Sequence, residues 1–185
     1  FPGIGYGGSC FPKDVKALIK SGKQEDFDFK ILEATENVNQ QKKVILVSEI
    51  EKYFNGNLSG KKIAVWGLAF KANTDDIREA SSLDNIKILL EKGATITAYD
   101  TIAEENVKKI LGDKISYAKD MYSALENADA LLIATEWSEF KNPNFSLMAE
   151  KMNHKAIFDG RNMFALEQVE DSGFYYKSIG RKTVE

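Results

Sequence analysis

Cys10 is the side chain best placed for covalent chemistry, and it is the one cysteine among 185 residues. It follows Gly7-Gly8-Ser9 and precedes Phe11-Pro12-Lys13-Asp14, where proline in a first turn opens a short helix carrying Val15, Leu18 and Ile19. A thiol at the N-terminal edge of a helix meets free N–H groups and the positive end of the dipole, which favour the thiolate. Lys13 adds positive charge in the same turn, and the glycines let backbone approach a ligand closely. Together these features describe a nucleophile. The competing reading is a small buried hydrophobe, since free cysteine is among the most buried residue types. Asp14 lies one turn beyond Cys10. It either faces the same cavity or is a first-turn acid favoured by the dipole alone.

Two further clusters follow apolar runs. Gly67-Leu68-Ala69-Phe70-Lys71 and Thr74-Asp75-Asp76-Ile77-Arg78-Glu79 come after Ile63-Ala64-Val65-Trp66. In open α/β sheets ligands bind beyond the carboxyl ends of strands. Lys71 and Arg78 are therefore candidate phosphate contacts; the alternative is internal ion pairs with Asp75, Asp76 and Glu79. Asp159-Gly160-Arg161 directly follows Ala156-Ile157-Phe158, so Arg161 is either an anion contact or a surface arginine. Asp100 ends the run Thr95–Tyr99 where an acid would bind a ribose in a dinucleotide fold, but the loop after residue 66 lacks the second and third fingerprint glycines. Gly3-x-Gly5-x-x-Gly8 matches that fingerprint formally. Only Phe1 and Pro2 precede it, and the motif needs a strand there. Ser81-Ser82-Leu83-Asp84 reads as a helix capping box, and His154 as a surface residue.

These residues need elements to hold them. Residues 27–54 contain no glycine or proline and predict one helix, about 42 Å long at ~1.5 Å per residue. Its middle, residues 36–43, is polar nearly all round, as in helices that bridge domains or join subunits. From Lys61 the texture changes. Short apolar runs at 63–66, 95–99, 130–134, 156–158 and 174–176 predict strands. Helical patterns at 83–90, 104–111, 121–127, 146–151 and 163–169 lie between or beside them. The expected class is α/β: a Rossmann-like, doubly wound parallel sheet over residues 59–185, preceded at 1–58 by a cysteine loop and a helical dimerisation segment. A hydrophobic share of 43% is enough for a packed core. A formal net charge of −3 excludes a dedicated nucleic-acid binder. One histidine and one cysteine exclude the usual zinc sites and any intrachain disulfide. No apolar run approaches the ~20 residues of a membrane helix, and with no signal peptide visible the reducing cytoplasm is the expected compartment. The chain opens inside a glycine-rich turn, as a piece of a longer polypeptide would.

Gly5-Tyr6-Gly7-Gly8-Ser9-Cys10-Phe11-Pro12-Lys13-Asp14 resembles the active-site segment of the UDP-glucose/GDP-mannose dehydrogenases. Gly67–Lys71 with Thr74–Glu79 resembles the opening of that family's C-terminal domain, and Asp159-Gly160-Arg161 resembles its later motif. The wording Phe-Pro-Lys-Asp is closer to the UDP-glucose branch than to the N-acetylmannosamine branch. The resemblance implies an N-terminal NAD-binding domain outside this chain, a central helix that forms a homodimer, and a C-terminal domain that binds the nucleotide sugar. It implies oxidation of the sugar C6 hydroxyl to a carboxylate, with Cys10 as nucleophile and Asp14 assisting the water or hydroxyl. By matching position, Phe1, Gly3, Gly7, Phe70, Lys71 and Arg161 would bind the substrate. Lys13 and Arg78 would reach the NAD phosphates. GDP-mannose and UDP-N-acetylhexosamines are alternative substrates. Two other classes stand beside the enzyme: a non-catalytic Rossmann-like binding module and a purely structural dimerisation fragment.

Overall fold

Apolar runs too short for helices, separated by amphipathic stretches, wind the chain beyond residue 61 into a parallel sheet with helices on both faces. The computed structural model describes residues 3–185. Phe1, expected at the substrate site, lies outside the described residues together with Pro2. The strands are β1 (Lys62–Trp66), β2 (Thr95–Tyr99), β3 (Ser116–Tyr117), β4 (Ala130–Ile133), β5 (Ala156–Asp159) and β6 (Tyr175–Ser178). They lie in the order β3-β2-β1-β4-β5-β6, every pair parallel. That is the doubly wound Rossmann order, with its switch point between β1 and β4.

Alternation along β1 shows how the sheet is buried on both sides. Ile63 and Val65 join a core with α3 (Ile45–Tyr53), α4 (Ser81–Glu91) and α5 (Glu104–Leu111). Ala64 and Trp66 join the opposite core with α6 (Phe145–Lys151) and α7 (Leu166–Ser172). Before the sheet come α1 (Phe11–Gln24) and α2 (Lys30–Lys43). None of these helices is long and apolar enough to cross a membrane, the search covering the described residues.

The helix expected as one piece over 27–54 is two. It starts at Lys30 and breaks at Val44, which has φ −111° and ψ 9°. The cause is a competing donor. Asn85 on α4, wholly buried, gives Nδ2 to the Lys43 carbonyl at 2.7 Å. Val47 N–H, which would have bonded that carbonyl, turns to Val44 O at 3.1 Å instead. The segment expected as a helix over 121–127 is only a 3₁₀ turn, Ser123–Leu125. Asp120 and Ser123 exchange side-chain bonds that close one turn, and Asn127 ends it with φ +56°. The capping box at residue 81 is not formed either. Ser81 and Ser82 donate instead to Ile4 O (2.6 Å) and Leu68 O (2.5 Å), tying α4 to the loops that carry the site.

Candidate functional site

The three motif segments, remote in sequence, meet at the carboxyl ends of β1, β4 and β5. Residues 3–10 run across this edge as a strap. Ile4 N–H donates to Gly160 O at 3.1 Å, and Gly8 N–H to Arg78 O at 2.8 Å. Asn39 on α2 brackets Tyr6: its Oδ1 accepts from Tyr6 N–H at 2.7 Å and its Nδ2 donates to Tyr6 O at 3.2 Å. Gly7 lies against the Glu79 carbonyl so closely that a β-carbon would be driven into it. Gly8 has φ +91° and lies under the Phe70 ring, 2.9 Å from where its β-carbon would be. Both positions demand glycine.

The strap delivers Cys10 to the start of α1. The thiol is exposed, so the buried-hydrophobe reading does not hold. Ser9 Oγ is 3.6 Å from the sulfur. Asp14 N–H closes the first turn onto Cys10 O at 2.9 Å, placing the Asp14 carboxylate one turn on. Lys13 Nζ lies 3.7 Å from Asp14 Oδ1, both side chains well exposed.

Arg161 is not a free surface arginine. Nε donates to Ala134 O and Nη2 to Phe70 O, each at 2.8 Å, and its own N–H donates to Asp159 Oδ1 at 2.7 Å. Glu136 Oε2 lies 3.2 Å from Nε without the alignment of a hydrogen bond. The guanidinium thus spans the loops after β1, β4 and β5, with Nη1 toward Gly3. Glu136, Lys141, Asn142, Arg161 and Asn162 line a cavity of about 530 Å³ beside it. Asp159 supports the turn from below. Fully buried, it also accepts from Met163 N–H and Tyr176 O–H, and Arg181 donates to that same Tyr176 oxygen. Burial pushes the Asp159 carboxyl up and, with Asp159 nearby, the Tyr176 hydroxyl up as well.

Lys71 and Arg78 part ways. Lys71 is exposed, 5.4 Å from the Phe70 ring centre, and no carboxylate among the described residues pairs with it. Arg78 does form an internal pair. Its Nε and Nη2 meet Asp76 at 2.9 and 2.7 Å, holding the Asp76 carboxyl below its usual range. Arg78 is largely exposed on its other side, so an arriving anion can compete for its guanidinium.

The β1 loop and Asp100 do not form a dinucleotide ribose site. Asp100 is 3% exposed. Its Oδ2 accepts from Leu68 N–H, Ala69 N–H and Trp137 Nε1–H, and its Oδ1 from Ile102 N–H and Ala103 N–H. The carboxylate that would meet ribose hydroxyls in an NAD crevice is instead filled by the chain. NAD therefore does not fit this sheet. The exposed cations Lys13 and Arg78 fit at most the phosphates of a dinucleotide held from elsewhere.

A profile of the UDP-glucose/GDP-mannose dehydrogenase family, UDP binding domain, matches residues 64–166. This chain belongs to the UDP-glucose/GDP-mannose dehydrogenase family. The profile of the family's central domain matches residues 1–41. UDP-glucose 6-dehydrogenase TuaD of Bacillus subtilis (strain 168) is 42% identical over 182 residues, covering 98% of this chain and 39% of that protein. The structure of a UDP-glucose dehydrogenase from Pyrobaculum islandicum superposes with a TM-score of 0.82 at 32% identity, covering 95% of this chain and 38% of that one. A UDP-D-ManNAc dehydrogenase from Pyrococcus horikoshii gives 0.78 at 32% identity, covering 97% and 40%. The chain spans about two-fifths of the length of the curated relatives it matches.

Asn39, Lys43 and Glu79 were not singled out from the sequence of this dehydrogenase-family chain, though all three touch the strap or its support. The only signal was the i, i+4 spacing of Asn39 and Lys43 on one polar helix face. Glu79 lies below the usual carboxylate range, through the hydrogen bond from Lys16 and then that from Lys43, against burial. An acid whose folded pKa is depressed stabilises the fold above its unfolded value, and that stability is lost as pH falls through the folded value. Asp76, Glu49 and Asp120 shift the same way. The urea midpoint should therefore drop below about pH 4. The drop should be shallower in Glu79→Gln, and an identical acid profile in that variant would remove Glu79 from the account.

Proposed function

We propose that this chain carries the nucleophile and the nucleotide-sugar site of an NAD-dependent nucleotide-sugar 6-dehydrogenase acting on UDP-glucose. The observation that carries the reading is the convergence of an exposed Cys10, at the start of α1, with Phe70, Lys71 and the braced Arg161 at the strand ends. Gly3 and Gly7 line the same edge. Lys71 and Arg161 supply positive charge for the diphosphate, and Phe70 an aromatic face.

Cys10 attacks the C6 aldehyde of the sugar; its sulfur–carbon bond gives a thiohemiacetal. Removal of hydride from that carbon leaves a thioester on Cys10. Water adds, the carbon–sulfur bond breaks, and the carboxylate leaves with the thiolate restored. Asp14 positions or deprotonates the 6-hydroxyl and then the water. NAD, when bound, accepts the hydride of each of the two oxidations. Lys13 and Arg78 would meet its phosphates. The remaining groups of the reaction and the NAD domain belong to the longer protein, which we place in the reducing cytoplasm. The exposed face of α2 bearing Ile31 and Val38 joins a second copy of the chain in a homodimer.

Calorimetric titration of the 185-residue chain tests the site. UDP-glucose should bind more tightly than GDP-mannose or UDP-N-acetylmannosamine. Arg161→Ala should weaken binding by about 10- to 100-fold, the range of one or two charge-assisted hydrogen bonds. Preference for another nucleotide sugar would move the substrate within the family. Equal binding by Arg161→Ala, with its circular dichroism unchanged, would remove Arg161 from the site.

A further inference from the structure

Lys43 has almost no solvent contact: its side chain is 1% exposed. Lysine is rarely buried unless paired, and its Nζ meets Glu79 Oε2 at 2.8 Å and, farther off, Asp84 Oδ2 at 3.5 Å. Glu79 is unusual in its own right. It has φ +54°, a conformation that L residues adopt only when their surroundings over-determine it. Its second oxygen, Oε1, accepts from Lys16 on α1 at 2.7 Å. One carboxylate thus joins α1, which begins at the thiol, to α2. The backbone of the same turn supports the strap, through the Glu79 carbonyl against Gly7 and the Arg78 carbonyl bonded to Gly8 N–H. One turn before Lys43, Asn39 grips the strap at Tyr6. Three side chains of α2 therefore hold the strap: Asn39 and Glu36, which accepts from the Tyr6 hydroxyl at 3.0 Å, directly, and Lys43 through Glu79.

We propose that Glu79, clamped by Lys43 and Lys16, is a positioning residue that fixes the Gly7–Cys10 strap, and with it the thiol, over the nucleotide-sugar site. The proposal rests on Cys10 being the nucleophile. A pair that only stabilised the fold would slow unfolding everywhere. A positioning clamp protects the strap in particular, because local opening below global unfolding is confined to the contacts that are lost.

The test uses the 185-residue chain and two readouts that need no turnover: hydrogen exchange at the Tyr6 and Gly8 amides, and alkylation of Cys10 by iodoacetamide, which is selective because the chain has one cysteine. In Glu79→Gln and in Lys43→Met, exchange at Gly8 and Tyr6 should rise at least tenfold relative to the amides of β4. Alkylation should change at least threefold. Asp84→Asn, which removes only the longer contact, should leave both within twofold. Lys16→Gln should raise Gly8 exchange and Lys16→Arg should restore it. Uniform acceleration of strap and β4 amides, or no change in either, would overturn the clamp. If the Lys43 or Glu79 variants do not fold, the Lys16 pair alters an exposed side chain and decides the matter by the same amides. Failure of Cys10 as nucleophile would leave both readouts intact, so the two ideas fall separately.

Discussion

Cys10→Ser in the full-length enzyme should lower turnover by roughly 10³-fold or more, while UDP-glucose binding stays within a few-fold. The substitution is nearly isosteric and sits at an exposed position, so the fold has no reason to change. What changes is the nucleophile. A thiol's sulfur is intrinsically reactive, whereas a serine hydroxyl needs a neighbouring base. Among the described residues Cys10 Sγ has the Ser9 hydroxyl as its side-chain partner, and the chain's one histidine, His154, packs against Phe54 and Asp129 on another part of the molecule. Steady-state NAD reduction and calorimetry on the same preparation separate chemistry from binding. Undiminished turnover would remove Cys10 as the nucleophile.

Asp100→Ala should be the most damaging single change to the fold. Five donors converge on that carboxylate: four backbone N–H groups and the Trp137 indole. Each buried donor left unpaired costs about 1–3 kcal/mol, although water entering the space left behind satisfies some of them. A net loss of about 4 kcal/mol or more follows, a large part of the ~5–15 kcal/mol that holds a domain together. Asp100→Asn should fall between, since its amide offers one acceptor oxygen and turns two donors toward a cluster of donors. Urea unfolding followed by circular dichroism measures both, and a loss below about 1 kcal/mol for Asp100→Ala would contradict the role of a structural hub.

The sheet was legible because its signal is local. Ile63-Ala64-Val65-Trp66 and Ala130-Leu131-Leu132-Ile133 are runs without polar alternation, as central parallel strands require, and both proved buried throughout. The clusters at Cys10, Lys71 and Arg161 could be found because glycine and charge directly follow such runs. What escaped was set at long range. The break at Val44 comes from Asn85, 42 residues from Lys43, and nothing in the sequence of residues 27–54 announces it. Glu79 looked like one acid among three, and only the fold brings Lys16 and Lys43 to it. Asp100 had the right address for a ribose ligand and the opposite use. Strand β3, two residues long at the sheet edge, is too short for any periodicity to show.

The filled crevice around Asp100 bears on what the ends of these strands can receive. In dinucleotide-binding sheets of this order an acid near the end of the second strand meets the ribose hydroxyls. Here the carboxylate has all its acceptors engaged and Trp137 stands against it, so a ribose arriving at the end of β2 finds no hydrogen-bonding partner. A ribose is thereby turned away from this end of the sheet without any repulsive charge. That refusal is built into the resting fold, and the same five bonds that hold the loops together leave no acceptor there for a ribose.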